Sequence, residues 1–205
     1  MIVTIDGPAA SGKGTLARRL GEVLGVPVLD TGLLYRSVAD FMLRAGRPLD
    51  DAKAALEAAR AVNLADLDRE RLSGAGLGEA ASRVAVMPQV RAALLKLQQD
   101  FARRPGGAVL DGRDTGTVIA PEADIKIFVT ASPEVRAVRR LRELAGRGEA
   151  ITYEQVLSDI RRRDERDAER AAAPLKPAPD AVLLDTTELD IEAAFREVLK
   201  IVRRA

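Results

Sequence analysis

The sequence predicts an α/β protein of three layers, a five-stranded parallel sheet between two sets of helices. Five short apolar runs recur along the chain, and the stretches between them carry helical spacing. Continuous runs of this length suit strands buried on both faces, as in parallel sheets. Their alternation with helices argues for a doubly wound fold in which ligands sit beyond the carboxyl ends of the strands. Four of the five runs end in Asp: Asp6, Asp30, Asp111 and Asp185. Any one of these could serve only as a helix cap or turn residue, but four together favour a polar cleft.

In order, the strands are Ile2–Ile5, Val26–Leu29, Ala108–Leu110, Ile125–Val129 and Ala181–Leu184. The first is followed by a glycine-rich turn and a helix reaching about Leu24. A helix before the third strand places Val90, Leu94, Leu97 and Phe101 on one face, and another covers Pro133–Leu144. Residues 63–78 fit the alternation poorly, being polar and ending in Ser73-Gly74-Ala75-Gly76-Leu77-Gly78. They read as an insert or mobile loop, or as a plain connection between helices. Pro174-Leu175-Lys176-Pro177-Ala178-Pro179 is a stiff linker into the last strand rather than a boundary, so residues 1–205 form a single domain.

Composition removes whole classes of chemistry. With no Cys and no His, thiolate nucleophiles, Ser-His triads, disulfides and His- or Cys-ligated metals are excluded. A net charge of +1 and 3% aromatic residues supply neither a basic surface nor stacking platforms, so no nucleic-acid partner is expected. No apolar run approaches a membrane span and no signal pattern opens the chain, so a cytoplasmic protein without a membrane partner is expected. It is expected to act as a monomer. The basic residues are 26 Arg and 6 Lys. Arginine offers a planar fork suited to phosphates, so the positions of individual arginines matter more than their number.

Gly7-Pro8-Ala9-Ala10-Ser11-Gly12-Lys13-Gly14-Thr15 follows the first strand and opens a helix, the context that a phosphate-binding loop requires. Its glycines let successive N–H groups point inward, and the helix N-terminus adds positive charge. Lys13 can reach the β- and γ-phosphates of a nucleoside triphosphate. The strict pattern has Ser or Thr directly after the Lys; here Gly14 intervenes and Thr15 follows. Thr15, and Asp111 at the end of the apolar run Val109-Leu110, are the candidate Mg²⁺ ligands.

A phosphoryl acceptor that is itself a phosphate is largely ionised near neutral pH, since its second pKa is about 6. It needs no general base. It needs several cations from separate segments, and a lid that excludes water. Arg36 and Arg113 stand after strand ends, Arg136 and Arg140 lie one helical turn apart, and a basic run, Arg161–Arg170, follows the Gly146-Arg147-Gly148 hinge. Within that run Arg163, Asp167 and Arg170 share a helix face. Arg and Asp/Glu at such spacings also stabilise solvated helices; beside a phosphate-binding loop they favour a closing lid.

At this point the residues resemble a family. Gly7–Thr15, Leu29-Asp30-Thr31-Gly32 with Tyr35-Arg36, Asp111-Gly112-Arg113-Asp114-Thr115-Gly116-Thr117, and Arg163-Asp164 with Arg166-Asp167, Arg170 and Ala173-Pro174-Leu175 are similar to the bacterial cytidylate kinase family of nucleoside monophosphate kinases. The likeness spans essentially the whole chain and implies a P-loop kinase transferring phosphate from ATP to CMP or dCMP, with Mg²⁺. It implies that residues 7–15, Arg136 and Arg140 hold the donor, and that Lys13, Arg113 and Arg166 stabilise the charge in transfer. It further implies that Thr31, Arg36 and Arg113 hold the acceptor phosphate, that Ser82, Arg91 and Asp114 read cytosine, and that Arg163, Asp167 and Arg170 contact the nucleotide on closure. The monophosphate-binding segment would cover about 31–103 and the lid about 136–173. The family commonly carries a longer insert, with a small antiparallel sheet, where this chain has 63–78. A kinase for UMP or AMP is the alternative within enzymes, and an ATP-sensing regulatory protein the alternative outside them.

Overall fold

The computed structural model describes residues 1–74 and 76–204. The strands are β1 (Ile2–Asp6), β2 (Val28–Asp30), β3 (Ala108–Gly112), β4 (Ile125–Thr130) and β5 (Val182–Asp185). They form one parallel sheet in the order β2-β3-β1-β4-β5, with Val3 beside Val109 on one side and Ile125 on the other. The helices are α1 (Lys13–Leu24), α2 (Thr31–Arg44), α3 (Ala52–Arg60), α4 (Leu77–Val84), α5 (Pro88–Ala102), α6 (Pro133–Ala145), α7 (Tyr153–Glu169) and α8 (Ile191–Arg204).

Side-chain alternation along the strands divides the core in two. Val3, Ile5, Val109, Ile127 and Val129 face α1 and α8, where Leu16, Leu20, Phe195 and Val198 cover them. Ala108 and Leu110 face the other way, onto a layer containing Leu34, Met42, Val90, Leu94 and Phe101 from α2 and α5. A third, smaller seam of Ala137, Leu144, Val156 and Ile160 joins α6 to α7 apart from both sheet faces. That helical pair therefore carries apolar packing of its own.

The second strand begins two residues later than expected because Pro27 has no N–H to give the ladder, although its carbonyl already accepts from Val109. Of residues 63–78, those up to Gly76 belong to the connection between α3 and α4 and include two single helical turns, Leu64–Asp66 and Arg71–Ser73, while Leu77 and Gly78 begin α4. Leu72 is fully buried there, Arg69 pairs with Asp30 at 2.8 Å, and Arg71 pairs with Asp40 on α2. No strand occurs in it among the described residues, and Ala75 lies outside them. The proline-rich stretch ends beside β4, where Lys126 Nζ donates to Asp180 at 2.8 Å and to the Pro121 carbonyl at 2.5 Å. Among the described residues no helix is long and apolar enough to cross a membrane.

Candidate active site

A cleft of about 1950 Å³ opens at the carboxyl ends of β1, β2 and β3 and runs between α2, α4, α6 and α7. At its centre is the turn between β1 and α1. Gly7 is required there, because a Cβ on it would lie 2.0 Å from the Val129 carbonyl oxygen. Gly12 (φ 91°) and Ala10 (φ 59°) both take the left-handed conformation that curls the turn. No side chain caps the first turn of α1, so its amide groups face the loop.

Lys13 Nζ donates to the Pro8 carbonyl at 3.2 Å and stands 3.9 Å from Asp111 Oδ1. Both groups are buried. Burial and the nearby Arg113 bring the Lys13 ammonium down to about 8, and burial lifts the Asp111 carboxyl to about 6 against the pull of Lys13. Asp111 Oδ1 has no hydrogen-bond partner among the described residues. The departure at Gly14 now has a reason: a Cβ there would come within 2.9 Å of Asp111 Oδ2, so the carboxylate occupies the space a Ser or Thr would need. The Thr15 hydroxyl lines the cleft and accepts from Arg18 at 3.2 Å. Among the described residues no cluster of three or more acidic side chains could hold a metal ion by itself. A free carboxylate oxygen beside a hydroxyl does fit Mg²⁺ carried on phosphates, because Mg²⁺ usually takes only one or two carboxylates from the protein.

The cleft brings Lys13, Arg36, Arg113, Arg140 and Arg163 to a common space. Burial lowers Arg36, with Arg140 and Arg113 pushing the same way, and burial together with Arg113 lowers Arg163 to about 10. Cations that depress one another across a cleft make a polyanion site. Asp167 partly balances them, accepting from Arg113 Nε at 2.9 Å and lying 3.9 Å from Arg163 Nε, a buried donor without a partner. The Thr31 hydroxyl donates to the Asp111 carbonyl at 2.9 Å, tying α2 to β3.

At one end of the cleft Arg91 pairs with Asp114 and lies over the Tyr35 ring at 5.4 Å. Ser82, buried on α4, lines the cleft one helical turn before Ala85, whose carbonyl accepts from Arg91 Nη1 at 3.3 Å. Arg170 Nη2 is 3.7 Å from Asp114 Oδ1 and makes no hydrogen bond. An acceptor, a fork donor, a hydroxyl and a ring thus converge on one small space. The opposite end is walled by Val135, Val138 and residues 186–191.

Two expected arginines stand elsewhere. Arg136 is buried with its donors already engaged, by the Ala131 carbonyl (2.8 Å), the Ala9 carbonyl (3.3 Å) and Asp164 (2.6 Å). It supports the phosphate loop from behind. Arg166 does not line the cleft; it reaches α4, donating to Ser82 Oγ at 2.9 Å and Glu79 Oε1 at 2.8 Å. Arg140 lines the cleft while pairing with Glu143 at 2.7 Å. Sequence reasoning passed over Arg139, which binds the Ser11 carbonyl (3.3 Å) and the Thr186 carbonyl (2.6 Å) and so joins the loop to the far wall. Its one signal was its place between the two arginines that were singled out. Of the strand-end carboxylates, Asp30 and Asp111 line the cleft. Asp6 is buried beneath it, accepting from the Thr115 and Gly116 amides at 2.9 and 2.8 Å, and Asp185, exposed at the end of β5, accepts from the Thr187 amide.

The sequence profile described as cytidylate kinase matches residues 3–204. The chain is 62% identical over 205 residues to a cytidylate kinase of Methylocella silvestris, covering 100% of this chain and 95% of that one. It is 65% identical over 207 residues to one of Xanthobacter autotrophicus, covering 100% and 99%. A gluconokinase of Sinorhizobium meliloti shares the fold with a TM-score of 0.52 at 17% identity, over 99% of this chain and 91% of the other. Matched nearly end to end by the profile and by these relatives, the chain belongs to the cytidylate kinase family.

Proposed function

We propose that this protein transfers the γ-phosphoryl group of ATP to CMP or dCMP, giving ADP and CDP or dCDP. The observation that carries the reading is one continuous cleft lined by the phosphate loop with its Lys13, by the cations Arg36, Arg113 and Arg163, and by the Arg91–Asp114 pair. The loop amides and Lys13 would hold the donor phosphates. Arg36 and Arg113, with Thr31 at the head of α2, would hold the acceptor phosphate. Asp111, with its free oxygen, and Thr15 would hold Mg²⁺ brought in on ATP, which neutralises part of the phosphate charge. The acceptor is already an anion, so no side chain has to remove a proton, in keeping with a chain that contains no His. Lys13, Arg113 and Arg163 would stabilise the charge on the group in flight. Residues 136–173 would close over it as a lid and residues 31–103 would carry the acceptor.

Base choice follows from donor and acceptor matching. Asp114 would accept from cytosine's exocyclic amine while Arg91 donates to O2 or N3. Uracil would set O4 against the carboxylate, and a site that leaves buried polar groups unpaired can reject a ligand by about 10⁴. A coupled assay with ATP-Mg²⁺ and equal concentrations of CMP, dCMP, UMP and AMP tests this. High rates with the cytidine nucleotides are expected; equal rates with AMP would defeat the base assignment, and ATP turnover indifferent to CMP would defeat the kinase reading. Asp114→Ala is expected to cut kcat/KM for CMP by about 5- to 150-fold, one lost base contact being 1–3 kcal/mol, with KM for ATP little changed.

A further inference from the structure

The basic run of α7 serves two places at once. Arg163, Asp167 and Arg170 line the cleft, while Arg166, at the margin of the same helix face, crosses to α4 and holds Ser82 and Glu79. Ser82 is 3% exposed and lines the cleft one helical turn before Ala85, whose carbonyl accepts from Arg91 Nη1 at 3.3 Å. A serine hydroxyl has one hydrogen and two lone pairs, and when free it turns to suit whatever faces it. A guanidinium donating to that oxygen takes one lone pair, and its charge drives the hydroxyl hydrogen away from it; charge-assisted bonds of this kind are about twice as strong as neutral ones. The hydroxyl then presents a fixed direction to the pocket. Arg166 sits on the proposed lid and Ser82 on the proposed acceptor segment, so the bond exists only while α7 rests on α4.

We propose that Arg166 is a specificity-determining positioning residue: by fixing the Ser82 hydroxyl from the lid, it makes discrimination of the acceptor base depend on lid closure. The inference rests on the acceptor-end reading above. An ion pair that merely ties two helices would leave base preference untouched, so the ratio of kcat/KM for CMP to that for UMP separates the two roles. The measurement uses the wild type, Arg166→Met, Ser82→Ala and the double variant. Each single variant is expected to lower the CMP:UMP ratio by about tenfold, the scale of one hydrogen bond at 1.4 kcal/mol per tenfold. The double variant should fall no lower than Ser82→Ala alone, and Arg166→Lys should recover part of the ratio.

Equal losses with CMP and UMP in Arg166→Met, or effects that multiply in the double variant, overturn the proposal. Glu79→Gln keeps the inference testable where Arg166→Met fails to fold, because it removes the ion pair and leaves the Ser82 bond in place. It should hold the ratio near that of the wild type, and a tenfold loss there would overturn the proposal. A wild type indifferent between CMP and UMP overturns the acceptor reading itself, and this inference with it.

Discussion

Asp111 and Lys13 are the two residues whose ionisation bears most directly on the proposed transfer. The carboxyl is lifted to about 6 by burial, so it carries a proton below that pH and is ionised above it. The ammonium is lowered to about 8, so it loses its proton as pH rises past that point. The pH dependence of kcat/KM reports groups of the free enzyme, and interacting groups titrate as a pair. kcat/KM for ATP is therefore expected to fall on the acid side near pH 6 and on the alkaline side near pH 8. Asp111→Asn should remove the acid limb while lowering the plateau. A wild-type profile flat between about pH 5 and 9 would separate both residues from the chemistry. The sequence pointed to both from their place after strands. It did not disclose why Gly14 stands where the strict loop has a hydroxyl residue, because the obstacle is a carboxylate 97 residues further along, at 2.9 Å from the missing Cβ.

Among the elements, the pair α6–α7 walls much of the cleft, and the proline-rich strap is tied to it where the Leu175 amide donates to the Asp167 carbonyl at 2.7 Å. The pair has its own apolar seam, and Arg136 fastens it by reaching both Asp164 and the loop carbonyl of Ala9. Helical spacing made Arg136 and Arg140 equivalent candidates. Burial separates them, since Arg136 is turned inward and Arg140 faces the cleft, and no spacing rule reports which way a helix is rotated. The strap is pinned by Lys126, whose side chain is buried under Asp180 and the Pro121 carbonyl. Lys126→Met should cost about 0.5–1.5 kcal/mol by removing the hydrogen bond that this buried ammonium gives the Pro121 carbonyl, which for a chain of this size lowers Tm by about 1–6 °C. KM values for ATP and CMP should stay near those of the wild type, as the polar partners of Lys126, Pro121 and Asp180, do not line the cleft. A shift in either KM would show that the strap sets the position of α7.

For the molecule as a whole, Lys13, Arg36, Arg113 and Arg163 come from elements spread over most of the chain, and the strand order brings them together. Holding so many cations beside one another works against the folded state, so a polyanion that neutralises them should stabilise it. At about 100 times its Kd a ligand adds about 2.7 kcal/mol, which corresponds to a rise in Tm of about 5–11 °C for a chain of this length. CMP together with a non-hydrolysable ATP analogue should raise Tm beyond either alone, and CMP should do so more than UMP. No shift with either nucleotide would sink the cleft as a nucleotide site. The apolar runs, the glycine-rich turn and the cleft-facing motifs were legible in the chain because each depends on neighbours within a few residues. Asp6 beneath the loop, Arg139 at the far wall and Arg166 on Ser82 were settled by tertiary structure alone, because their partners lie 47 to 128 residues away or are chosen by the rotation of a helix. Local pattern determines which elements form and what chemistry they carry, whereas long charged side chains take whatever partner packing leaves within reach.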